Sequence, residues 1–129
     1  MSGIVIDTDV MIDLLREHKA AEAWLRSLEA FPAVSCFTVL ELLAGSKDKS
    51  EYRRVEQMLM DFSVLYPAME DLEAAAFRLT PFALSHGVGC LDLLIASVAL
   101  GHGLTLATFN LKHFRVIPGL QTIQPYQRG

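Results

Sequence analysis

Apolar positions along the chain switch between short β-branched runs and longer stretches at helical spacing, which predicts βα units around a parallel sheet. Ile4-Val5-Ile6 is the first strand, followed by a helix through Val10–Arg16. Ala20, Ala23, Trp24, Leu28 and Phe31 keep helical spacing, so a second helix is expected over Lys19–Leu28, with Pro32 stopping it. Ala33–Cys36 reads as the second strand. Thr38 stands as the cap of the next helix, with Glu41 completing a capping box and Gly45 closing the helix. Val55, Met58, Leu59 and Phe62 mark an amphipathic helix before the short strand Ser63–Leu65. Leu72, Ala75, Ala76 and Leu79 continue the helical pattern until Pro81 kinks or ends it. Leu91–Leu100 is apolar on nearly every face and belongs at the centre. Leu104–Ala107 and Leu120–Ile123 supply the fourth and fifth strands. The pattern predicts one α/β domain over residues 1–129: a three-layer α/β/α sandwich with a mostly parallel, four- or five-stranded sheet. Right-handed crossovers then fix most of its topology.

Composition adds to this picture at a few points. The chain has 129 residues, enough for one core without covalent staples. Apolar residues reach 52%, above the roughly 45–50% of ordinary globular chains. That excess implies elements buried on more than one face, or a partner surface. Cys36 and Cys90 are far apart in apolar runs and read as buried thiols of a reducing compartment, not a disulfide. Asp7, Asp9 and Asp13 interrupt the first apolar run, so it is no signal segment. Leu91–Leu100 is too short to span a bilayer and carries Asp92. A cytoplasmic protein without membrane attachment is expected. The net charge of −4 excludes a generally basic nucleic-acid surface. It leaves room for an enzyme in which divalent cations neutralise phosphate locally. The one basic cluster, Lys47, Lys49, Arg53 and Arg54, reads as a solvated linker and helix start.

Ligands of such sheets bind outside the carboxyl ends of the strands. Asp7 follows strand one directly, Glu41 lies in the helix leaving strand two, and Asn110 stands just past strand four. Asp92 reaches the same edge, because the helix before a parallel strand runs back from there. Taken singly, Asp9 and Asp92 read as helix N-caps and Glu41 as half of a capping box. Taken together they fit less well. Glu41 and Asp92 sit in apolar sequence with no lysine or arginine beside them, and an unpaired ionised carboxylate there is costly. One divalent cation would answer for all of them. An oxygen-only ligand set indicates Mg²⁺, with Mn²⁺ as substitute, rather than zinc. His18, His86, His102 and His113 lack HxH or HExxH spacing, and no phosphate loop or GxSxG elbow is present.

Four segments in order resemble the motifs of the PIN domain: Ile6–Val10, Ser35–Gly45, Asp92–Ala96 and Thr108–Phe114. More narrowly they are similar to the VapC-type toxins of toxin–antitoxin pairs, over essentially the whole chain from Ile4 to Phe114. The resemblance implies a PIN-like fold and a Mg²⁺-dependent endoribonuclease with its acids at Asp7, Glu41 and Asp92. It also implies an antitoxin that occludes the site, and a homodimer of toxins. The family often carries a fourth acid where this chain has Asn110, and sometimes another where it has His113. Asparagine offers a carbonyl oxygen without charge, so one metal is expected to be held well and Asp9 is placed to restore the missing charge.

In the expected mechanism Asp7 and Asp92 bind the metal, while Glu41 ligates it or orients the attacking water. Cleavage would leave a 5′-phosphate and a 3′-hydroxyl. Clustered carboxylates without metal repel, so at least one should hold its proton more tightly. Thr8 and Thr108 are candidate partners of the substrate phosphate or of a ligand carboxylate. Two alternatives stand beside this reading. A phosphatase of the HAD-like kind would use Asp7 as nucleophile in Asp7-Thr8-Asp9, although Met11 and Lys112 suit it poorly. A non-catalytic PIN-like binding module would instead work through apolar segments around Met11, Met58 and Met60.

Overall fold

The structure, a computed structural model, describes residues 3–128. Five strands, β1 (Ile4–Ile6), β2 (Ala33–Ser35), β3 (Ser63–Leu65), β4 (Thr105–Ala107) and β5 (Thr122–Ile123), form one sheet. Their order is β3-β2-β1-β4-β5 and every pairing is parallel. The chain therefore winds outward from β1 to β3, then returns to lay β4 on the other side of β1. The crevice at the carboxyl ends of β1 and β4 is where such a reversal leaves room for a ligand.

Side chains of successive strand residues face opposite ways, and the core divides accordingly. Val5 and Leu106 pack with Leu79, Ile95, Ala99 and Phe114 on one face. Ile6 and Val34 pack with Val10, Met11, Leu42, Val55 and Phe62 on the other. These two cores are the two interfaces of a three-layer α/β/α sandwich. The helices are α1 (Thr8–Leu15), α2 (Lys19–Ser27), α3 (Cys36–Ala44), α4 (Lys49–Leu59), α5 (Met69–Ala74), α6 (Pro81–His86), α7 (Cys90–His102) and α8 (Leu111–Phe114). Helix α7 buries Leu93, Ile95, Ala96, Val98 and Ala99, as its unbroken apolar run predicts. Gly103, at φ 66°, ends it in the left-handed region that lets the chain turn into β4.

Several local expectations fail for identifiable reasons. Helix α3 starts at Cys36, and its cap is Ser35, whose Oγ accepts the N–H groups of Phe37 (3.1 Å) and Thr38 (3.2 Å). Thr38 is thus neither a cap nor half of a box with Glu41, because Ser35 reaches those free N–H groups first. Asp7, not Asp9, occupies the cap position of α1, which begins two residues earlier than predicted. Asp92 lies inside the first turn of α7, whose cap position is Gly89. Pro81 neither kinks nor ends a helix outright. A π-helical turn over Ala75–Leu79 widens the backbone first, and Pro81 then opens α6 at a position that needs no N–H. Phe62 falls beyond α4 yet is buried. Of the two thiols, Cys36 is half-buried, but Cys90 is exposed because it opens α7 at the surface. No helix among the described residues is long and apolar enough to cross a membrane.

Candidate active site

The parallel register Ile6↔Ala107 makes the next residues, Asp7 and Thr108, neighbours at the β1/β4 crevice. The Asp7 N–H still donates to the Ala107 carbonyl (2.9 Å), so the ladder carries order into the site. One Asp7 oxygen accepts the Thr8 N–H at 2.8 Å, and the other accepts the Thr108 hydroxyl at 2.7 Å. Thr108 Oγ1 also accepts the Asn110 N–H at 2.9 Å, which folds the loop after β4 back toward α1. From α1, Asp9 accepts the Phe109 N–H at 3.0 Å on Oδ2. Its other oxygen is buried without a hydrogen-bond partner among the described residues. Asp92 approaches from α7: Asn110 Nδ2 donates to Asp92 Oδ2 at 3.4 Å, and His113 Nδ1 lies 3.6 Å from the same oxygen.

The structure therefore brings Asp7, Asp9, Asp92, Thr8, Thr108 and Asn110 together. Glu41 stands apart. It is exposed on α3, one turn beyond Thr38, whose hydroxyl lies 3.0 Å from that of Thr8. The expectation that Glu41 is a carboxylate stranded in apolar surroundings is wrong, because the helix turns it to solvent. It lines a cleft of about 630 Å³ beside Thr8, together with Arg16, Lys47 and Arg54. The basic cluster lies where expected, in the exposed linker before α4 and at the start of that helix, and two of its members, Lys47 and Arg54, also line this cleft.

Electrostatics separates the acids. Asp7 is 5% exposed, and its carboxyl is pushed up to about 7, chiefly by burial and then by the negative charge of Asp9. Asp92 adds a smaller push in the same direction, while the Thr108 and Thr8 hydrogen bonds oppose it. Burial also raises Asp9, against the pull of the Phe109 N–H, and it raises Asp92 against the pull of His113. The crevice is a place where negative charge is expensive, and no lysine or arginine side chain pairs with Asp7 or Asp92 among the described residues.

A hard divalent cation fits this donor set. Asp7 and Asp92 offer carboxylate oxygens, while Asn110 turns its Nδ2 to Asp92. Among the described residues no three His, Cys, Asp or Glu side chains converge as a ready cage.

Three features lie outside the reach of sequence reasoning. The contact of Thr38 with Thr8 joins two helices and has no local signature. Arg128 and Tyr126 near the end of the chain both bond Asp13 on α1. Phe109 falls within the Thr108–Phe114 motif, but its role as the N–H that holds Asp9 has no signature in the sequence.

Residues 4–120 match the family described as PIN domain. The chain is 35% identical to ribonuclease VapC10 of Mycobacterium tuberculosis, over 92% of this chain and 90% of that protein. It is 29% identical to ribonuclease VapC1 of Rickettsia felis, over 94% of this chain and 95% of the relative. Among solved structures, a toxin–antitoxin complex from Klebsiella pneumoniae contains a chain that superposes with a TM-score of 0.77 at 26% identity, covering 97% of this chain and 99% of that one.

Proposed function

This chain belongs to the PIN domain family and, within it, to the VapC ribonucleases, and from that premise we propose that it is a Mg²⁺-dependent endoribonuclease held in check by an antitoxin. The observation that carries the proposal is the buried Asp7 carboxyl at the β1/β4 crevice, with Asp9 and Asp92 beside it and, among the described residues, no lysine or arginine side chain to pair it. A folded protein keeps so costly a group where its charge is needed for something that binds there.

In this reading Asp7 and Asp92 would hold the cation, Asn110 steadies Asp92 through its Nδ2, and Asp9 adds negative charge behind them. When bound, Mg²⁺ would offset charge on the scissile phosphate and make water a better nucleophile at neutral pH. Thr108 holds Asp7 in one orientation, and Thr8, whose hydroxyl meets that of Thr38, lines the cleft. Glu41, exposed at the cleft, would be free to take a proton from water there. Arg16, Lys47 and Arg54 line the cleft that leads away from the acids and suit the phosphates of a single RNA strand. On a chain of net charge −4, what supports this is that the three cations outnumber Glu41 and Glu51 in the same cleft.

The antitoxin rests on the solved relatives, several of which are toxin–antitoxin complexes. A homodimer is the further expectation. Its support is the amount of apolar surface left uncovered, with Met60 and Phe77 each 81% exposed and Leu84 93%. An aspartyl phosphatase would trap phosphate on Asp7, and the family match speaks against it.

The test is incubation of the purified chain with structured RNAs, with Mg²⁺ or with EDTA, followed by analysis of the product ends. Cleavage only with metal, leaving 5′-phosphates, is expected. Absence of cleavage with both Mg²⁺ and Mn²⁺, or cleavage that persists in EDTA, would overturn the reading.

A further inference from the structure

The segment after β5 returns to the active-site end of the sheet and lies across α1. Arg128 grips Asp13 with two donors, Nε to Oδ2 at 3.0 Å and Nη2 to Oδ1 at 3.1 Å. Tyr126 donates to the same carboxylate at 2.7 Å. Burial pushes the Asp13 carboxyl up, but these two partners outweigh it and hold it below the usual carboxylate range. The guanidinium does more than pair a charge. Its carbon stands 4.3 Å from the centroid of the Phe109 ring, and Nη2 also reaches the Asp9 carbonyl at 3.4 Å. Tyr126 meets the same ring edge-on, with centroids 4.9 Å apart.

Phe109 is thus held on both sides. Its ring lies under Arg128 and Tyr126, and its N–H is bonded to Asp9. On either side of it in sequence are Thr108, which orients Asp7, and Asn110, which reaches Asp92. We propose that Arg128 is a positioning residue of the active site: by clamping α1 to the loop after β4, it holds Thr108–Asn110 against Asp7 and Asp92. The planar fork is needed, because one group must satisfy a carboxylate bidentately and stack on a ring at once. Such outer partners set how well first-contact ligands hold a metal. The inference rests on the nuclease reading only for its activity arm.

The test compares the full chain with Arg128→Ala and Arg128→Lys. Lysine keeps a charge for Asp13, so a defect from stranding that carboxylate is separated from loss of the fork. Trp24, the single tryptophan, lies 6.2 Å from Tyr126 between ring centroids, and its fluorescence reports whether the tail stays docked. Amide exchange at Phe109 and Asn110, measured by NMR without metal, reports the loop. We expect exchange there to quicken about tenfold in both variants while the thermal midpoint of Arg128→Lys stays near wild type. The Mg²⁺ concentration for half-maximal cleavage should rise about tenfold, with a smaller change in kcat at saturating Mg²⁺. Millimolar guanidinium should partly restore Arg128→Ala and do nothing for wild type. Unchanged exchange and unchanged Mg²⁺ response in a variant whose Trp24 signal shows a released tail would overturn the proposal. An unchanged Trp24 signal would also overturn it, since Arg128 would then not hold the tail. If the wild-type chain cleaves no RNA, the nuclease reading falls, and the exchange rates still decide the clamp.

Discussion

Replacing Asp7 with asparagine should stabilise the metal-free protein at alkaline pH while destroying its response to Mg²⁺. The Asp7 carboxyl titrates near 7 in the fold, against 3.8 when unperturbed. The sign follows from which state holds the proton. Between pH 4 and 7 the folded chain keeps a proton that the unfolded chain has lost, so stability falls as pH rises through that window. The penalty is absent below about pH 4 and fully present above about pH 7, where it is on the order of 4 kcal/mol. The substituted amide would carry no charge, yet it could still accept from the Thr8 N–H and donate to Thr108 Oγ1, so the hydrogen bonds survive in altered sense. Thermal unfolding in EDTA at pH 5 and pH 8 gives the comparison. The wild-type midpoint should drop relative to Asp7→Asn between the two, by an amount on the order of 10 °C. Adding Mg²⁺ at a hundredfold its Kd should recover about 2.7 kcal/mol for wild type at pH 8 and much less for the variant. Parallel pH dependence of the two proteins, or a variant less stable than wild type at pH 8 in EDTA, would refute the reasoning.

Other consequences can be measured on the same footing. Asn110→Asp places a second carboxylate beside Asp92, so it should lower stability in EDTA and tighten Mg²⁺ binding by calorimetry. Glu41→Gln should leave unfolding within about 0.5 kcal/mol of wild type, since its side chain is exposed, but slow single-turnover cleavage. Ser35→Ala removes the hydroxyl that caps α3 and should cost about 1 kcal/mol in denaturant unfolding.

The strand-and-helix alternation is legible because β1 is β-branched, β2 and β4 are buried throughout, and the helices between them keep either a helical period or, in α7, an unbroken apolar run. Asp7 is legible for the same reason, as the first polar residue after Ile4-Val5-Ile6. Local composition misleads at Glu41. Its apolar neighbours include Leu40, which is itself 62% exposed, and the helical period decides which of them face the core. Capping at Ser35, Thr38, Asp7 and Asp92 is not legible, because a shift of one or two residues in a strand end changes which oxygen meets a free N–H. Arg128 is invisible in the sequence. Its partner Asp13 is 115 positions away, and nothing in the last residues marks them as part of the site.

Calorimetric titration of the metal-free chain with Mn²⁺ at pH 7, in two buffers of different ionisation enthalpy, tests the acid cluster most directly. Asp7 near its titration midpoint should lose about half a proton as the ion binds, so the apparent enthalpy should differ between buffers. Asp7→Asn should abolish that difference and most of the binding. Failure of the wild-type chain to bind the ion, or binding that Asp7→Asn leaves unchanged, would contradict the account.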